Sequence, residues 1–395
     1  MAVKPAKSGE DFSLVVGGPL YQMYVRSRLL RPPAGLPERR IAAFILLTWV
    51  PLVLLAFASG TALDGVKVPF VLDVDVHVRF LLGLPLLIAA EVLVHRRLRV
   101  AVEQFVARGI VGPDQEPAFR RIIDSTMRLR NSALIEVALL VAAFTLGYVI
   151  WRGATALRVD TWYAATGADG VQHLTVAGWW YAFISLNVFR FMILRWYFRL
   201  ILWYIFLWRV ARLPLRLNAL HPDASGGLGF LGNSPFALLP LLLAHTTTLA
   251  GVIGGRLWHE GMKLTEFQLE IGGSVALLMS AALLPLSFFM FQIARAKRDA
   301  SREYGVMAMR YVDDFRAKWL GRRGPAGEPL LGSADFQSLA DLAGGNDPVR
   351  KTGFFPIGRQ SVVTLGICIA LPFAPLLLTL IPFEELVERV VRKIV

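Results

Sequence analysis

Seven stretches of this chain are dominated by apolar residues over lengths of about 20 residues or more. They cover residues 41–59, 78–97, 133–151, 178–207, 235–254, 270–293 and 361–382. A helix of about 20 mostly apolar residues crosses the roughly 30 Å hydrocarbon core of a bilayer. Apolar residues make up 55% of the chain and charged residues only 18%, a balance that excludes an ordinary soluble domain. The sequence predicts an all-α, polytopic membrane protein with about seven transmembrane helices and the lipid bilayer as a partner.

Basic residues alternate between the connections that join these stretches. Lys and Arg number 30 in the segment before residue 41 and in 95–132, 208–232 and 295–360, against 8 in 60–77, 152–177, 255–269 and 383–395. Because connections rich in Lys and Arg stay in the cytoplasm, the N-terminus is predicted to be cytoplasmic and the C-terminus periplasmic. The net charge of +13 is then a consequence of topology, and nucleic acid is not expected as a partner.

The same pattern divides the chain into five parts. They are a cytoplasmic N-terminal segment (1–40) with a short amphipathic helix over 19–30, a six-span bundle (41–293), a cytoplasmic helical region (294–360), a seventh span (361–382) kinked by prolines, and a periplasmic amphipathic tail (383–395). The helical region carries aromatic and small residues at steps of 3 and 4, and they share one face: Tyr304, Ala308, Tyr311, Phe315 and Trp319. This face is expected to contact either the chain's own cytoplasmic segments or a second copy, and a homo-oligomer is predicted.

Charged residues inside the apolar stretches are few, and they fall at similar depth on three successive helices. Glu91 and Glu136 lie near the cytoplasmic ends of the second and third spans, and Arg195 and Arg199 near that end of the fourth, with Arg190 closer to mid-depth. Opposite charges that meet lower one another's desolvation cost, so a buried ion-pair cluster is predicted. The cluster either locks three helices together or lines the inner vestibule of a polar pathway.

A glycine-rich segment, LHPDASGGLGFLG at 220–232, follows the fourth span. Glycines allow positive φ and close backbone approach, and their N–H groups beside a helix N-terminus can hold an anion. The expected anion-binding residues are His221, Asp223, Gly226, Gly227 and Gly229 together with Arg212 and Arg216 upstream. The alternative is a tight turn whose glycines only let the chain pack against neighbouring helices, since neither a Walker A ending nor a strand-linked G-x-G-x-x-G is present.

Two further candidates lie within the apolar stretches. His245 and Thr247 on the fifth span are candidate pore-lining residues, the alternative being packing residues that bond to their own helix. Glu91 and His95 share a helix face, but with His221 and Asp223 they match no strong metal motif. No metal, cofactor or catalytic residue is predicted, and the single cysteine, Cys368, excludes an intramolecular disulfide.

Three segments resemble a group of uncharacterised bacterial multi-pass inner-membrane proteins: HVRFLLGLPLLIAAE (77–91), LHPDASGGLGFLG (220–232) and GSADFQSLADLA (332–343). The resemblance extends over most of the chain, and the HPDxxGGLGFLG loop is its most distinctive part. It implies a location in the bacterial inner membrane and supplies no substrate, cofactor or catalytic residue.

Three function classes remain. Polar residues gathered toward one side above a basic loop favour a channel or transporter, for an anion or another small ion. The alternatives are a sensor, scaffold or envelope-assembly protein that binds partners through its cytoplasmic helix, and a membrane enzyme that acts on a phosphorylated or lipid substrate. No catalytic set typical of membrane enzymes is visible, so an enzyme is the least expected class.

Overall fold

The structure is a computed structural model that describes residues 12–154, 160–167, 172–321 and 333–380. It is almost entirely helical, with a single two-stranded antiparallel sheet in the described part, in which Ala164 pairs with Leu174. In chain order the elements are α1 (Pro19–Arg26), α2 (Pro37–Ala58), α3 (Val74–Ala107), α4 (Glu116–Arg130), α5 (Ala133–Ala154), β1 (Ala164–Thr166), β2 (Gln172–Leu174), α6 (Val176–Val210), α7 (Gly229–His259), α8 (Leu264–Trp319), α9 (Ala334–Gly345), α10 (Asp347–Lys351) and α11 (Arg359–Thr379).

Within the described residues, six helices are long and apolar enough to cross a membrane: α2, α3, α6, α7, α8 and α11. A seventh span results if α4 and α5, which meet at a bend of 46°, are counted as one. Each of the seven predicted stretches coincides with one of these helices, the third with α5. The prediction of an all-helical chain with several potential spans is therefore confirmed.

Helices α3, α6 and α7 are the most buried of the spans, and small residues let them approach closely. A Cβ on Gly83 of α3 would lie 2.8 Å from the Thr248 hydroxyl of α7, and one on Gly251 of α7 would lie 3.0 Å from Val78. Close backbone approach at such positions maximises dispersion contacts, which hold helices together where lipid tails remove most of the hydrophobic driving force. The three helices form the centre on which the other elements pack.

The bundle has a proximal and a distal end. The proximal end contains the first residue of α2, Pro37, and the last of α3, Ala107; the distal end contains Ala58 and Val74. The segment before α2 lies at the proximal end, where a surface helix was predicted. Helix α1 forms within the predicted range but ends at Arg26, and the residues before it enter the core: Phe12 is buried between the Trp203 and Phe206 rings of α6.

The predicted face of α8 is covered by the chain itself. Tyr311 donates to the Asp335 carbonyl of α9 at 3.0 Å, and the Phe336 ring lies 5.0 and 5.2 Å from those of Phe315 and Trp319. Tyr304 likewise donates to the Leu342 carbonyl. Of the two expected occupants of this face, a segment of the chain itself, α9, is the one observed.

The last span, α11, changes character where the prolines begin. It is α-helical over Arg359–Ala370 and 3₁₀-helical over Leu371–Leu380, because Pro372 and Pro375 remove N–H donors from the α-helical ladder. Pro382 and the predicted tail 383–395 lie outside the described residues.

Candidate functional site: a buried arginine cluster

Glu91 of α3 is the centre of a charged cluster at the proximal end. Its side chain is 2% exposed, and it accepts hydrogen bonds from Arg199 at 2.8 Å and Arg195 at 3.2 Å, both on α6. The two arginines are four residues apart, so they point from the same face of α6 toward α3. A third guanidinium, that of Arg40 in the first turn of α2, pairs with the other carboxylate oxygen. Glu91 therefore joins three helices.

Glu136 of α5 extends this cluster toward the surface. Its Oε1 lies 3.3 Å from Nε of Arg195, and its Oε2 accepts the backbone N–H of Leu20 at 3.0 Å. Leu20 is in the first turn of α1, where N–H groups lack partners within the helix and favour a carboxylate. Four residues predicted from depth alone, Glu91, Glu136, Arg195 and Arg199, are thus brought together here.

Arg190 is not part of this cluster. Its Nη1 donates to the Asn187 side-chain oxygen on its own helix at 3.1 Å, and the guanidinium lies against Gly147 of α5. Arg190 and Arg199 are nine residues apart, which at about 100° per residue places them on opposite faces of the helix.

The N-terminal segment covers the cluster. The Ser13 hydroxyl is 2.8 Å from Nδ1 of His95 and accepts the N–H of Val16, and the Ser13 carbonyl accepts from Arg130 at the end of α4. Together with the bond from Leu20 to Glu136, these contacts attach residues 13–20 to α3, α4 and α5.

The cluster carries more positive than negative charge. Among the described residues, Arg40, Arg130, Arg195 and Arg199 face two acids, Glu91 and Glu136, which is an excess of two formal positive charges. A cavity of about 20 Å³, enough for about one water molecule, lies between Arg130, Arg195, Arg199 and Glu136.

Some donors near Glu91 have no acceptor. Nε and Nη2 of Arg40 and the Tyr24 hydroxyl are buried without a hydrogen-bond partner among the described residues, and the guanidinium of Arg40 lies 5.8 Å from the centre of the Tyr24 ring. Burial raises the pKa of Tyr24 well above its usual value, so its hydroxyl remains a donor at neutral pH. The cluster thus has unused hydrogen-bond donors as well as surplus positive charge, and both favour a negative ligand.

Sequence reasoning missed Arg40, Tyr24, Ser13 and Arg130. Arg40 was counted among the basic residues that precede the first span, although it stands directly before the apolar run, at the same end of the bundle as Glu91. That proximity was the available signal. The contributions of Ser13 and Tyr24 depend on the path of the N-terminal segment, which leaves no periodic pattern in the sequence.

The glycine-rich loop has its own internal anion. The Asp223 carboxylate accepts the N–H groups of Ser225 at 2.9 Å, Gly227 at 3.1 Å and Gly229 at 2.8 Å, and His221 lies 3.0 Å from it. Burial acts to raise the pKa of Asp223, but these three backbone donors lower it by more, so the net direction is downward. The N–H groups expected to bind an external anion are therefore occupied by the loop's own side chain.

The glycines of this loop serve its geometry. Gly226 and Gly227 have φ of +67° and +97°, a region that disfavours other residues. A Cβ on Gly232 would lie 2.6 Å from the Pro356 carbonyl oxygen. The loop also binds the segment before α11, because Gly353 donates to the Ala224 carbonyl at 3.0 Å. These contacts match the alternative of a tight turn packed against its neighbours.

The two arginines assigned to this loop have other partners. Arg216 pairs with Asp114 at 2.8 Å, both of them exposed, and the Arg212 guanidinium stacks 3.6 Å above the Trp208 ring. Arg108, which was not predicted, is the arginine that reaches the loop, at the Gly227 carbonyl. The predicted assembly of Arg212, Arg216 and the glycine N–H groups into one anion site is therefore not what the structure contains.

The candidates on α7 are held by local hydrogen bonds. His245 bonds through Nδ1 to the Leu241 carbonyl at 2.8 Å and through Nε2 to the Tyr197 hydroxyl at 2.8 Å. Thr247 is partly buried, and its neighbour Thr246 bonds back to its own helix. His245 thus has both ring nitrogens satisfied, which agrees with a packing residue. In the described part of the chain no three His, Cys, Asp or Glu residues form a group that could hold a metal.

A second charged group, which sequence reasoning missed, lies at the distal end. Arg79 pairs with Asp75 at 2.6 Å, and Asp73 accepts the Trp162 ring N–H at 2.8 Å. Burial raises the pKa of Asp73. The group lies beside π-helical turns at Arg79–Gly83 and Tyr181–Ser185. Its signal was the run DVDVHVR at 73–79, which precedes the second apolar stretch.

Comparison with protein-family models, with curated proteins and with solved structures finds no match for this chain. Its function is therefore inferred from the geometry of the arginine cluster.

Proposed function

We propose that this protein is a multi-pass channel or transporter of the bacterial inner membrane that recognises a small anion at its cytoplasmic side. The observation that supports this is the surplus of buried guanidinium groups around Glu91 and Glu136. An isolated charge within a bilayer costs several kcal/mol, so surplus arginines there are typical of an ion pathway or a binding site.

The orientation is part of the proposal. The connections at the proximal end contain most of the Lys and Arg residues, which favours a cytoplasmic location for this end. The arginine cluster then opens toward the cytoplasm, where its positive potential attracts anions. A small cavity lined by two or three basic groups can bind an anion of low charge and still release it.

Glu136 is proposed as the internal competitor of the anion. It is the more exposed of the two acids, with 15% of its side chain accessible against 2% for Glu91. An anion that enters the cavity between Arg130 and Arg195 can displace the Glu136 carboxylate from Arg195, while Glu91 holds the other side of the arginine pair. Glu91 is thus the structural anion and Glu136 the exchangeable one.

The test is anion flux through the purified protein in liposomes, measured with chloride and nitrate. We expect flux above that of protein-free liposomes and at least a tenfold loss in Arg195→Gln. Arg190→Gln is the matched control, because Arg190 is on the same helix and outside the cluster. Thermal unfolding of both variants separates loss of flux from loss of fold. Absence of flux in the folded wild-type protein, or equal loss in both variants, contradicts the proposal.

The two alternatives, a sensor, scaffold or envelope-assembly protein and a membrane enzyme, stay predictions. The scaffold class was based on the apolar face of α8, and α9 covers that face. The enzyme class was the least expected from the sequence, and Asp223 occupies the N–H groups of the loop at which an anion was expected to bind. The homo-oligomer also stays a prediction, and the face of α8 that was one candidate to form it is covered by α9.

A further inference from the structure

An open groove lies at the proximal end, outside the arginine cluster. One wall is the turn at residues 31–35, and the other is a single face of α3 on which Val92, Arg96, Arg99 and Glu103 follow at helical spacing. Its volume is about 490 Å³. A groove of this size admits a ligand larger than the single water for which the cluster cavity has room.

The charges in this groove are unbalanced. Arg99 is paired with Glu103 at 2.9 Å. The guanidinium groups of Arg31 and Arg96 make no hydrogen bond or ion pair with any described residue, and both side chains are exposed. One acid thus faces three arginines, which leaves two positive charges without a partner.

Apolar residues alternate with the basic ones along the same wall. Val92 and Val100 lie one turn either side of Arg96, Pro32 and Pro33 line the opposite wall, and Val100 is 53% exposed. A free inorganic anion gains nothing from such a surface, whereas an amphiphile with a charged head and an apolar body contacts both parts.

The position of the groove along α3 is that expected for a lipid headgroup. The apolar run of α3 ends at His95, and Arg96, Arg97 and Arg99 follow within one turn. At about 1.5 Å per residue, Arg96 is roughly 7.5 Å beyond Glu91 along the helix, toward the proximal surface. Basic pockets beside transmembrane helices at this level bind anionic headgroups.

We propose that this groove binds the phosphate of an anionic phospholipid, with Arg31 and Arg96 as its ligands and Val92 and Val100 against the glycerol and upper acyl region. The inference is independent of anion transport, because neither arginine belongs to the cluster around Glu91. It gives the turn at 31–35 a role that its sequence did not indicate.

The test is a titration of the full-length protein, in nanodiscs of phosphatidylcholine, with water-soluble dihexanoyl phosphatidylglycerol, followed by calorimetry. Each basic residue near a membrane surface contributes about 1 kcal/mol, which is about fivefold in affinity. We therefore expect Arg96→Gln to weaken binding about fivefold and Arg31→Gln/Arg96→Gln about 25-fold. Arg97→Gln is the matched control, since Arg97 is exposed on the same turn but does not line the groove; we expect less than twofold.

Two further titrations identify the source of the phosphate. Dihexanoyl phosphatidylcholine should bind at least tenfold more weakly, because its choline opposes the surplus positive charge. Inorganic phosphate should also bind more weakly and should be insensitive to Val100→Ser, whereas the lipid should lose affinity in that variant. The proposal is overturned if the wild-type protein does not bind phosphatidylglycerol, if Arg97→Gln weakens binding as much as Arg96→Gln, or if inorganic phosphate binds equally well.

Discussion

Replacing Glu91 by glutamine tests whether the arginine cluster holds the bundle together. The substitution keeps the shape of the side chain and removes its charge. Arg40 and Arg199 are then left without a carboxylate, while Arg195 keeps Glu136 at 3.3 Å. Removal of one partner from a buried ion pair costs about 3–5 kcal/mol, because the remaining charge stays buried. Because Glu91 pairs with three arginines, we expect the free energy of unfolding to fall by an amount at the upper end of that range.

Two other acidic residues of the chain provide a comparison for the size of this loss of stability. Glu136→Gln removes one ion pair, but the amide oxygen can still accept the Leu20 N–H. We therefore expect the free energy of unfolding to fall by about 1–3 kcal/mol. Glu103→Gln removes a pair with Arg99 that is about one-third exposed, and such pairs contribute about 0.5 kcal/mol or less. The expected order of destabilisation is Glu91, then Glu136, then Glu103.

The assay is reversible unfolding of the purified protein in mixed micelles with increasing sodium dodecyl sulfate, followed by circular dichroism. A double-mutant cycle with Arg199→Gln isolates the coupling between Glu91 and Arg199. We expect the double variant to be more stable than the sum of the two single losses predicts. If Glu91→Gln is no more destabilising than Glu103→Gln, the cluster does not stabilise the bundle and the reasoning is refuted.

Three more substitutions test the elements outside the cluster. Asp223→Asn should speed amide exchange in the glycine-rich loop and lower the free energy of unfolding by about 1–3 kcal/mol. Backbone donors lower the pKa of Asp223 in the folded protein, so its carboxylate contributes fully to stability above its ordinary pKa, and this contribution is lost as the pH falls through the lowered pKa. The variant should lack this acid-dependent loss of stability. Gly232→Ala places a Cβ 2.6 Å from the Pro356 carbonyl oxygen and should cost about 1–3 kcal/mol, whereas Gly255→Ala, with open space around it, should be neutral in the same unfolding assay. Phe336→Ala removes the ring between Phe315 and Trp319 and should raise amide exchange in α9 alone; exchange that rises equally in α3 contradicts a local role.

The sequence was sufficient for the helices and for part of the charged cluster. Hydropathy locates a span to within a few residues, and the position of a residue along its span gives its depth. Glu91, Glu136, Arg195 and Arg199 could therefore be placed at one level before any contact was known. Depth does not give the direction in which a side chain points, and so Arg190 was included although it faces Asn187 and Gly147.

Contacts made by irregular segments could not be predicted in this way. Trp162 illustrates the difficulty, because the structure buries its ring against Phe70, Tyr163 and Tyr181. An aromatic residue in a connection is compatible with both an interfacial and a buried position, and only the fold of the connection decides between them. Asp223 gave a similar ambiguity: the loop was predicted to bind an external anion, whereas its N–H groups are bonded to its own carboxylate.

The distal charged group lies at the start of α3 and the arginine cluster near the middle of the same helix, and this arrangement constrains how the bundle can move. Arg79 and Glu91 are twelve residues apart, which is roughly 18 Å along the helix. At the proximal end Glu91 fixes α3 to α2 and α6, and at the distal end Asp73, which caps the start of α3, is bonded to Trp162. Sliding α3 by one turn would separate Glu91 from the arginines of α2 and α6 and Asp73 from Trp162, whereas the Arg79–Asp75 pair lies within α3 and would move with it. Any opening of an anion pathway is therefore expected to leave α3 in place and to move the elements joined to it by weaker contacts. The segment 13–20, which closes the cluster through Glu136, His95 and Arg130, is the element of that kind nearest to the cavity.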